Sequence, residues 1–190
     1  MPNYLWAYPG TLRDALVAAL TLDTFNRHAD KIAMANVAQL VNTIHSLFLA
    51  QEDQFTVTPN FHVFAMYAVH QGGQSVRTVF SAPPVAFSRG ATAQALWGLA
   101  GSASLREKDL TVTVVNPHAT DARACAIAVR GADVRDGRAT VLSSTDLRAH
   151  NSFAQPNALA PKDAPVVVRA GAVQHTFPAA SVTRLRLALA

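Results

Sequence analysis

The sequence predicts an α+β protein in which an α/β segment, residues 1–72, precedes an antiparallel β-sandwich, residues 73–190. Before the glycine pair at 72–73, apolar residues recur at helical spacing. Beyond it, short alternating or β-branched runs are separated by turn residues roughly every ten positions. Half of the 190 residues are hydrophobic and 15% are charged, which excludes a disordered chain and allows a sizeable core.

The first region opens with residues 1–10, predicted to be irregular, whose aromatic side chains either pack on the domain or line a sugar site (Tyr4, Trp6, Tyr8). A helix is predicted from Thr11 to about residue 27. Thr11 can cap its N-terminus, and Asp14, three residues on, supplies the reciprocal acid. Its apolar face is wide, which is typical of a helix covered on more than one side.

A strand at 32–35, a turn near Asn36 and a helix over 37–50 are predicted next. The amides Asn36, Gln39 and Asn42 interrupt this apolar stretch. Buried amides without partners cost roughly 1–3 kcal/mol. Two interpretations stay open: backbone groups satisfy the amides, or Gln39 hydrogen-bonds a polyhydroxylated ligand.

An extended run at 55–59 and a helix at 60–70 complete the first region. One strand and three helices cannot close a parallel sheet, so we expect this segment to belong to a larger structure, from a longer parent or another chain. In the second region, strands are predicted at 75–81, 95–105, 110–115, 124–129, 139–142, 166–169, 173–177 and 181–189.

Composition excludes several functions. The net charge of +4 comes from scattered arginines, which argues against nucleic-acid binding. The single cysteine, Cys125, allows no intramolecular disulfide or thiolate metal cluster and is predicted to be a buried small hydrophobe. His62 and His70 are eight residues apart, too far for an i, i+4 metal pair. We expect no metal, cofactor, secretory signal or membrane span, and therefore a cytoplasmic protein.

No catalytic set is evident from the residues themselves. The only glutamates, Glu52 and Glu107, lie in polar breaks, and no nucleophile-elbow, phosphate-loop or dinucleotide motif occurs. The residues alone therefore indicate an α/β end-piece fused to a β-sandwich, and no reaction.

Several runs nevertheless resemble the C-terminal part of α-L-arabinofuranosidases of glycoside hydrolase family 51. The similarity is ordered and covers nearly the whole chain from about Leu12. It rests on residues 14–20, 25–30, 34–42, 58–59 and 62–64 in the first region, and 110–116, 150–153, 155–156 and 177–182 in the second.

This resemblance implies that residues 12–72 end a (β/α)8 catalytic barrel, which needs roughly 250 residues in full, and that a jelly-roll sandwich follows. The family's glutamine in this motif contacts arabinofuranose, which places Gln39, and more weakly Asn36, in the substrate pocket. An arabinofuranosyl saccharide is then a partner only if the rest of the barrel is supplied, and a homo-oligomer is possible.

The departures from the family matter more. Retaining hydrolysis needs two carboxyl groups about 5–5.5 Å apart. The family's two glutamates lie on earlier strands, and neither Glu52 nor Glu107 matches them. Ala65 also stands where an acidic residue is common. We therefore predict no catalytic residue here and no hydrolysis by this chain alone.

Two other functions stay open. One is a non-catalytic module that binds polysaccharide, although Trp97 is the only large flat aromatic of the β region. The other is a scaffold that stabilises a barrel and its oligomer.

Overall fold

A computed structural model describes residues 9–37 and 39–190. Residues 1–8, with the predicted irregular backbone and the aromatics Tyr4, Trp6 and Tyr8, lie outside the described residues. The described chain consists mostly of antiparallel strands with two α-helices, which confirms the predicted fold class.

Helix α1 (Leu12–Arg27) begins and ends where the sequence predicts. Both the backbone N–H and the hydroxyl of Thr11 donate to Asp14 Oδ2, each at 2.8 Å. The free N–H groups of the first turn are satisfied by the sandwich, because Leu12 N and Arg13 N donate to carbonyls in the loop at 147–149. The helix therefore starts on a surface that the second region supplies.

The predicted strand at 32–35 and helix at 37–50 are wrong. The described residues from 32 to 47 form no helix and no strand, only an isolated bridge, and a hairpin of β1 (Phe48–Gln51) and β2 (Gln54–Val57) follows. The extended run and the next helix are confirmed by β2 and by α2 (Pro59–Tyr67), which Thr58 caps and a 3-10 turn (Ala68–His70) extends.

Between residues 74 and 189 the strands are β3 (Gln74–Val76), β4 (Val85–Arg89), β5 (Thr92–Leu96), β6 (Ala100–Arg106), β7 (Asp109–Asn116), β8 (Arg123–Ile127), β9 (Val134–Ser143), β10 (Lys162–Ala164), β11 (Val167–Arg169), β12 (Ala172–Phe177) and β13 (Ser181–Leu189). A six-stranded sheet has the order β10-β9-β13-β7-β6-β3, and a three-stranded sheet the order β11-β12-β8. A separate hairpin joins β4 and β5.

The main strands match the predicted runs, with three differences. The run at 95–105 divides into β5 and β6 at Gly98, where a Cβ would lie 1.9 Å from the Pro83 carbonyl oxygen, so only glycine fits that approach. The run at 75–81 keeps only β3. Strands β4 and β10 were not predicted.

Two hydrophobic cores lie on opposite faces of the six-stranded sheet. The first fills the space between the two sheets, around Phe177, Leu185 and Leu187. The second joins α1 and α2 to the sheet's other face, where Leu12, Val63, Val115, Leu142 and Val182 belong to one cluster. The division into residues 1–72 and 73–190 stays a prediction, and across that boundary the described residues share a core.

Candidate functional site

The predicted substrate residues lie on the irregular segment between α1 and β1. Asn36 and Gln39 both have exposed side chains. Within residues 9–37 and 39–190, neither side chain has a hydrogen-bond partner. Gln39 adopts a left-handed backbone with φ of 77°, as do Asn42 at 55° and His45 at 59°. Left-handed residues at this spacing are incompatible with the predicted helix.

Asn42 fastens this segment to the hairpin that follows. Its Nδ2 donates to the Ala50 carbonyl at 2.7 Å, and Ala50 N donates to its Oδ1 at 2.9 Å. Its own N–H donates to the Phe48 carbonyl at 3.1 Å. Its side-chain amide thus occupies the place of a neighbouring strand's peptide group. Of the three amides singled out in the sequence, Asn42 is satisfied by backbone, whereas Asn36 and Gln39 are exposed and have no such partner among the described residues.

A second set of bonds holds the base of the segment. The Leu40 carbonyl accepts from Leu47 N and Phe48 N, both at 3.1 Å. The Thr58 hydroxyl donates to the Ser46 carbonyl at 2.7 Å, which connects the segment to the cap of α2. The backbone that carries Gln39 is therefore held at its base, while the Gln39 side chain is exposed.

Large apolar side chains on the same segment and its hairpin are exposed, with Met34 at 74% and Phe55 at 60% exposure, and also Leu40, Val41 and Ile44. Exposed apolar groups this frequent in a short stretch are typical of a surface that another element covers. This stretch contrasts with α1, whose apolar face is packed on α2 and the sheet.

The structure places the two glutamates in different turns. Glu52 lies in the turn between β1 and β2, and Glu107 in the turn between β6 and β7. Both are exposed, and both adopt the left-handed backbone of a tight turn, with φ of 55° and 56°. In the described residues no group of three His, Cys, Asp or Glu side chains could hold a metal ion.

A buried polar cluster, which the sequence did not predict, joins the helices to the six-stranded sheet. Asp23 of α1 is completely buried and accepts three hydroxyl hydrogen bonds. Tyr67 of α2 donates to its Oδ2 at 2.8 Å, and Ser102 of β6 and Thr113 of β7 donate to its Oδ1 at 2.7 and 2.6 Å. His70 completes the cluster.

His70 lies between two of these hydroxyls and is only 8% exposed. Its Nδ1 is 2.7 Å from Ser104 Oγ and its Nε2 is 3.1 Å from Thr113 Oγ1. Because Thr113 gives its single proton to Asp23, Nε2 must carry the imidazole proton and Nδ1 must accept from Ser104. This assignment makes a directed chain from Ser104 through His70 and Thr113 to Asp23.

Burial shifts the pKa values of Asp23 and His70, two of the three titratable groups of the cluster, in opposite directions. It raises the pKa of Asp23 to about 6, against the opposing effect of its hydroxyl donors and of Arg27. It lowers the pKa of His70 to about 4. The pKa of Tyr67 is raised well above its usual range by burial and by the Asp23 charge. At neutral pH the cluster therefore holds a carboxylate, a neutral imidazole and a neutral phenol.

The sequence did contain a signal for this cluster. Asp23 lies on the same face of α1 as Leu12, Leu16 and Ala19, where an acid is out of place. A buried acid needs partners, and the alternating hydroxyl residues of β6 and β7 supply them. These partners are 79 and 90 residues further along the chain, so sequence spacing could not identify them.

Two other features lie on the sandwich. A groove of about 590 Å³ runs beside β8 and β12 and is lined in part by Cys125, Pro165 and His175. Cys125 is half-buried, as a small hydrophobe packed against the core, and burial raises the pKa of its thiol. Trp97, 66% exposed, follows β5. No helix in the described part of the chain is long and apolar enough to cross a membrane.

Helices packed on one face of a β-sandwich define a sandwich region with a helical extension, which also carries an exposed amide on a braced segment. Residues 5–181 match the family described as the α-L-arabinofuranosidase C-terminal domain. The chain belongs to this family.

Relatives of known description agree with the match. An intracellular exo-α-L-arabinofuranosidase from Bacteroides ovatus is 30% identical over 182 residues, which are 93% of this chain and 34% of that protein. The crystal structure of the family 51 arabinofuranosidase from Xanthomonas axonopodis pv. citri superposes with a TM-score of 0.90 at 29% identity, covering 98% of this chain and 38% of that one.

A family 51 α-L-arabinofuranosidase from Bifidobacterium longum gives a TM-score of 0.87 at 25% identity, over 96% of this chain and 36% of that chain. The chain thus spans about a third of the length of these relatives. The resemblance to the C-terminal part of family 51 arabinofuranosidases is confirmed.

Proposed function

We propose that this chain is the part of a retaining α-L-arabinofuranosidase that completes the substrate pocket with Gln39 and supports the catalytic barrel with its sandwich. Residues up to 72 then end the barrel, and residues 73–190 form the C-terminal sandwich. The observation that carries this proposal is the exposed amide of Gln39, which has no hydrogen-bond partner among residues 9–37 and 39–190, on a backbone that Asn42 braces beside exposed apolar side chains.

The substrate class follows from the relatives, which are arabinofuranosidases by description. A primary amide both donates and accepts hydrogen bonds, as recognition of a sugar hydroxyl requires. Asn36, three residues before Gln39 and equally exposed, is the second proposed contact. The relative from Bacteroides is described as intracellular, which supports a cytoplasmic location.

Catalysis requires an acid/base and a nucleophile that this chain does not supply. The resemblance assigns both roles to glutamates on earlier barrel strands, whereas Glu52 and Glu107 lie in two separate turns. The isolated chain is therefore expected to be inactive on arabinofuranosides. Its role depends on a barrel that provides the two carboxyl groups.

A chimera tests this function. The C-terminal third of the Bacteroides enzyme is replaced by residues 11–190 of this chain, and release of 4-nitrophenol from 4-nitrophenyl α-L-arabinofuranoside is measured. We expect an active chimera and an inactive isolated chain. Gln39→Ala in the chimera should lower kcat/KM by about 10- to 100-fold, the effect of losing one or two substrate hydrogen bonds of about 1.4 kcal/mol each.

The matched control is Gln51→Ala, which removes an exposed glutamine of the neighbouring hairpin and should leave kcat/KM unchanged. Release of arabinose by the isolated chain would contradict the proposal. If Gln39→Ala leaves the kcat/KM of an active chimera unchanged, the proposed contact between Gln39 and substrate is wrong, and only the scaffold function is supported.

The scaffold function has its own observation. The helices and the sandwich share one hydrophobic core and the Asp23 cluster, so the sandwich stabilises the two helices that flank the segment carrying Gln39. A homo-oligomer built through the same sandwich is part of this proposal, and the mass of the purified chimera in light scattering tests it.

A further inference from the structure

The Asp23 cluster contains a carboxylic acid and a base, Asp23 and His70, that the proposed function does not use. They come from different elements, Asp23 from α1 and His70 from the turn after α2, and both are buried against the same sheet. The hydroxyl of Thr113 connects them: it lies 2.6 Å from Asp23 Oδ1 and 3.1 Å from His70 Nε2. An acid and a base are thus parts of a single hydrogen-bonded unit.

This unit is also the main polar attachment between the helical segment and the sandwich. From the helices come Asp23, Tyr67 and His70, and from the sheet Ser102, Ser104 and Thr113, with hydrogen bonds crossing between the two sets. Asn26 adds a bond to Ser102 at 3.2 Å. Detaching the helices from the sheet would return every one of these groups to water.

The charged groups that face the unit from the surrounding elements are cations. Arg27 of α1 donates to the Gly101 carbonyl of β6 at 2.7 Å. Arg184 of β13 is the register partner of Thr113 and donates to Thr140 at 3.0 Å. Asp163 of β10 lies close enough to Arg184 to act on its charge, and Asp23 is the anion that is linked by hydrogen bonds through Thr113 to His70.

Burial acts oppositely on an acid and a base, since in each case it disfavours the charged form. Buried Asp23 holds its proton more tightly than a solvated aspartate, and buried His70 holds its proton less tightly than a solvated histidine. We propose that Asp23 and His70 are a pH-compensating pair, which keeps the helical segment attached to the sandwich with nearly constant strength across the acidic range.

The sign of each contribution can be worked out from the two shifts. The pKa of Asp23 is raised from 3.8 to about 6, so on acidification the folded state takes up a proton before the detached state does. The attachment therefore strengthens as the pH falls through 6 towards 4. The pKa of His70 is lowered from 6.5 to about 4, so the detached state takes up the proton first. The attachment therefore weakens over the same pH range.

The two contributions are of similar size. A shift of about two pKa units changes an equilibrium constant by about 100-fold. Between pH 7 and 4 the pair therefore changes the unfolding constant far less than either group alone. The compensation is lost when one member is removed and restored when both are removed.

The test is urea unfolding of the full 190-residue chain between pH 7 and 4 for the wild type, Asp23→Asn, His70→Gln and the double variant. The asparagine and glutamine side chains can still form hydrogen bonds at these two positions, but neither of them titrates. Comparing each protein with the double variant cancels the contribution that carboxylates elsewhere in the chain make to the pH dependence of unfolding.

We expect the wild type and the double variant to show parallel pH profiles. On acidification from pH 7 to 4, the unfolding constant of Asp23→Asn should rise about 100-fold relative to that of the double variant, and the unfolding constant of His70→Gln should fall about 100-fold. His28→Gln, at the exposed C-cap of α1, is the control and should follow the wild type. Single variants that run parallel to the double variant would overturn the proposal.

A second measurement does not depend on the variants folding. In the unaltered chain, ¹⁵N NMR of His70 should report a neutral Nε2–H tautomer at pH 5.5, and ¹³C NMR of the Asp23 carboxyl should titrate near pH 6. A purely structural pair with ordinary pKa values would show His70 charged at pH 5.5 and Asp23 ionised there, which refutes the compensation.

Discussion

Replacing Asn42 with alanine tests whether the side chain of this one residue braces the segment that carries Gln39. The change removes two hydrogen bonds to Ala50, of 2.7 and 2.9 Å, each of which contributes about 1 kcal/mol. It also places alanine at φ of 55°, a left-handed conformation that is about 1 kcal/mol less favourable for alanine than for asparagine. The local opening free energy should therefore fall by about 3 kcal/mol.

The measurement is amide hydrogen exchange at Ala50, whose N–H donates to the Asn42 side chain. A fall of about 3 kcal/mol predicts exchange on the order of 100-fold faster. Global unfolding in urea should change by less than about 1 kcal/mol, since residues 39–57 are absent from both hydrophobic cores. The loss is local because the hairpin lies at the edge of the fold.

Two further variants separate the contributions. Asn42→Asp keeps the acceptor for Ala50 N and loses the donor to the Ala50 carbonyl, and Asn42→Gly removes both bonds without strain at positive φ. Exchange at Ala50 should therefore rise in the order wild type, Asp, Gly, Ala. An alanine variant within threefold of the wild type, or an aspartate variant as fast as alanine, would refute the bracing role.

Two other substitutions probe the interface between the helices and the sheet. Tyr67→Phe removes one donor to the buried Asp23 carboxylate, so the pKa of Asp23 should rise further above 6 in ¹³C NMR, and unfolding at pH 7 should cost about 1–3 kcal/mol less; an unchanged pKa would contradict the hydrogen bond. Gly101→Ala places a Cβ 2.1 Å from the Thr113 carbonyl oxygen, a backbone contact that cannot yield, and should lower stability by more than about 3 kcal/mol in urea unfolding. Gly90→Asn, at φ of 60° in open space, is its control and should stay within about 0.5 kcal/mol; similar losses for both would contradict the steric argument.

The parts of the fold that the sequence predicted are those in which local signals and tertiary structure agree. The Thr11 and Asp14 cap, the apolar face of α1 and the alternation of β7 and β13 each specify one local structure, and the fold adopts it. In these elements, the residues that bury a face also have the period of the element.

The prediction for the segment before β1 was wrong for the opposite reason. Leu40, Ile44, Leu47 and Phe48 recur at helical spacing, so the pattern predicts a helix. The structure instead satisfies the backbone through the side chain of Asn42 and through three left-handed residues, and neither feature leaves a periodic trace. Apolar spacing also misled because these side chains are exposed rather than packed on the chain's own core.

In the candidate site, too, the residue with a local signal was predicted and the cluster built from distant residues was not. Gln39 was identified through a motif, and its exposure agrees with an external ligand but stays a prediction. The Asp23 cluster was missed because its donors are 79 and 90 residues away, and a single sequence contains no record of which distant hydroxyls meet a buried acid.

That separation also has a consequence for how the chain is made. Ribosomes add residues at about 5–20 per second, so α1 emerges roughly 5–20 s before Thr113 is synthesised to meet Asp23. The first turn of α1 waits longer still, because its N–H groups bind carbonyls at residues 147 and 149. Tyr67, 44 residues after Asp23, is the first of its three hydroxyl donors to be synthesised, and Ser102 and Thr113 follow. Until they are made, an ionised Asp23 favours contact between the apolar face of α1 and water, because a charge is costly to bury without partners.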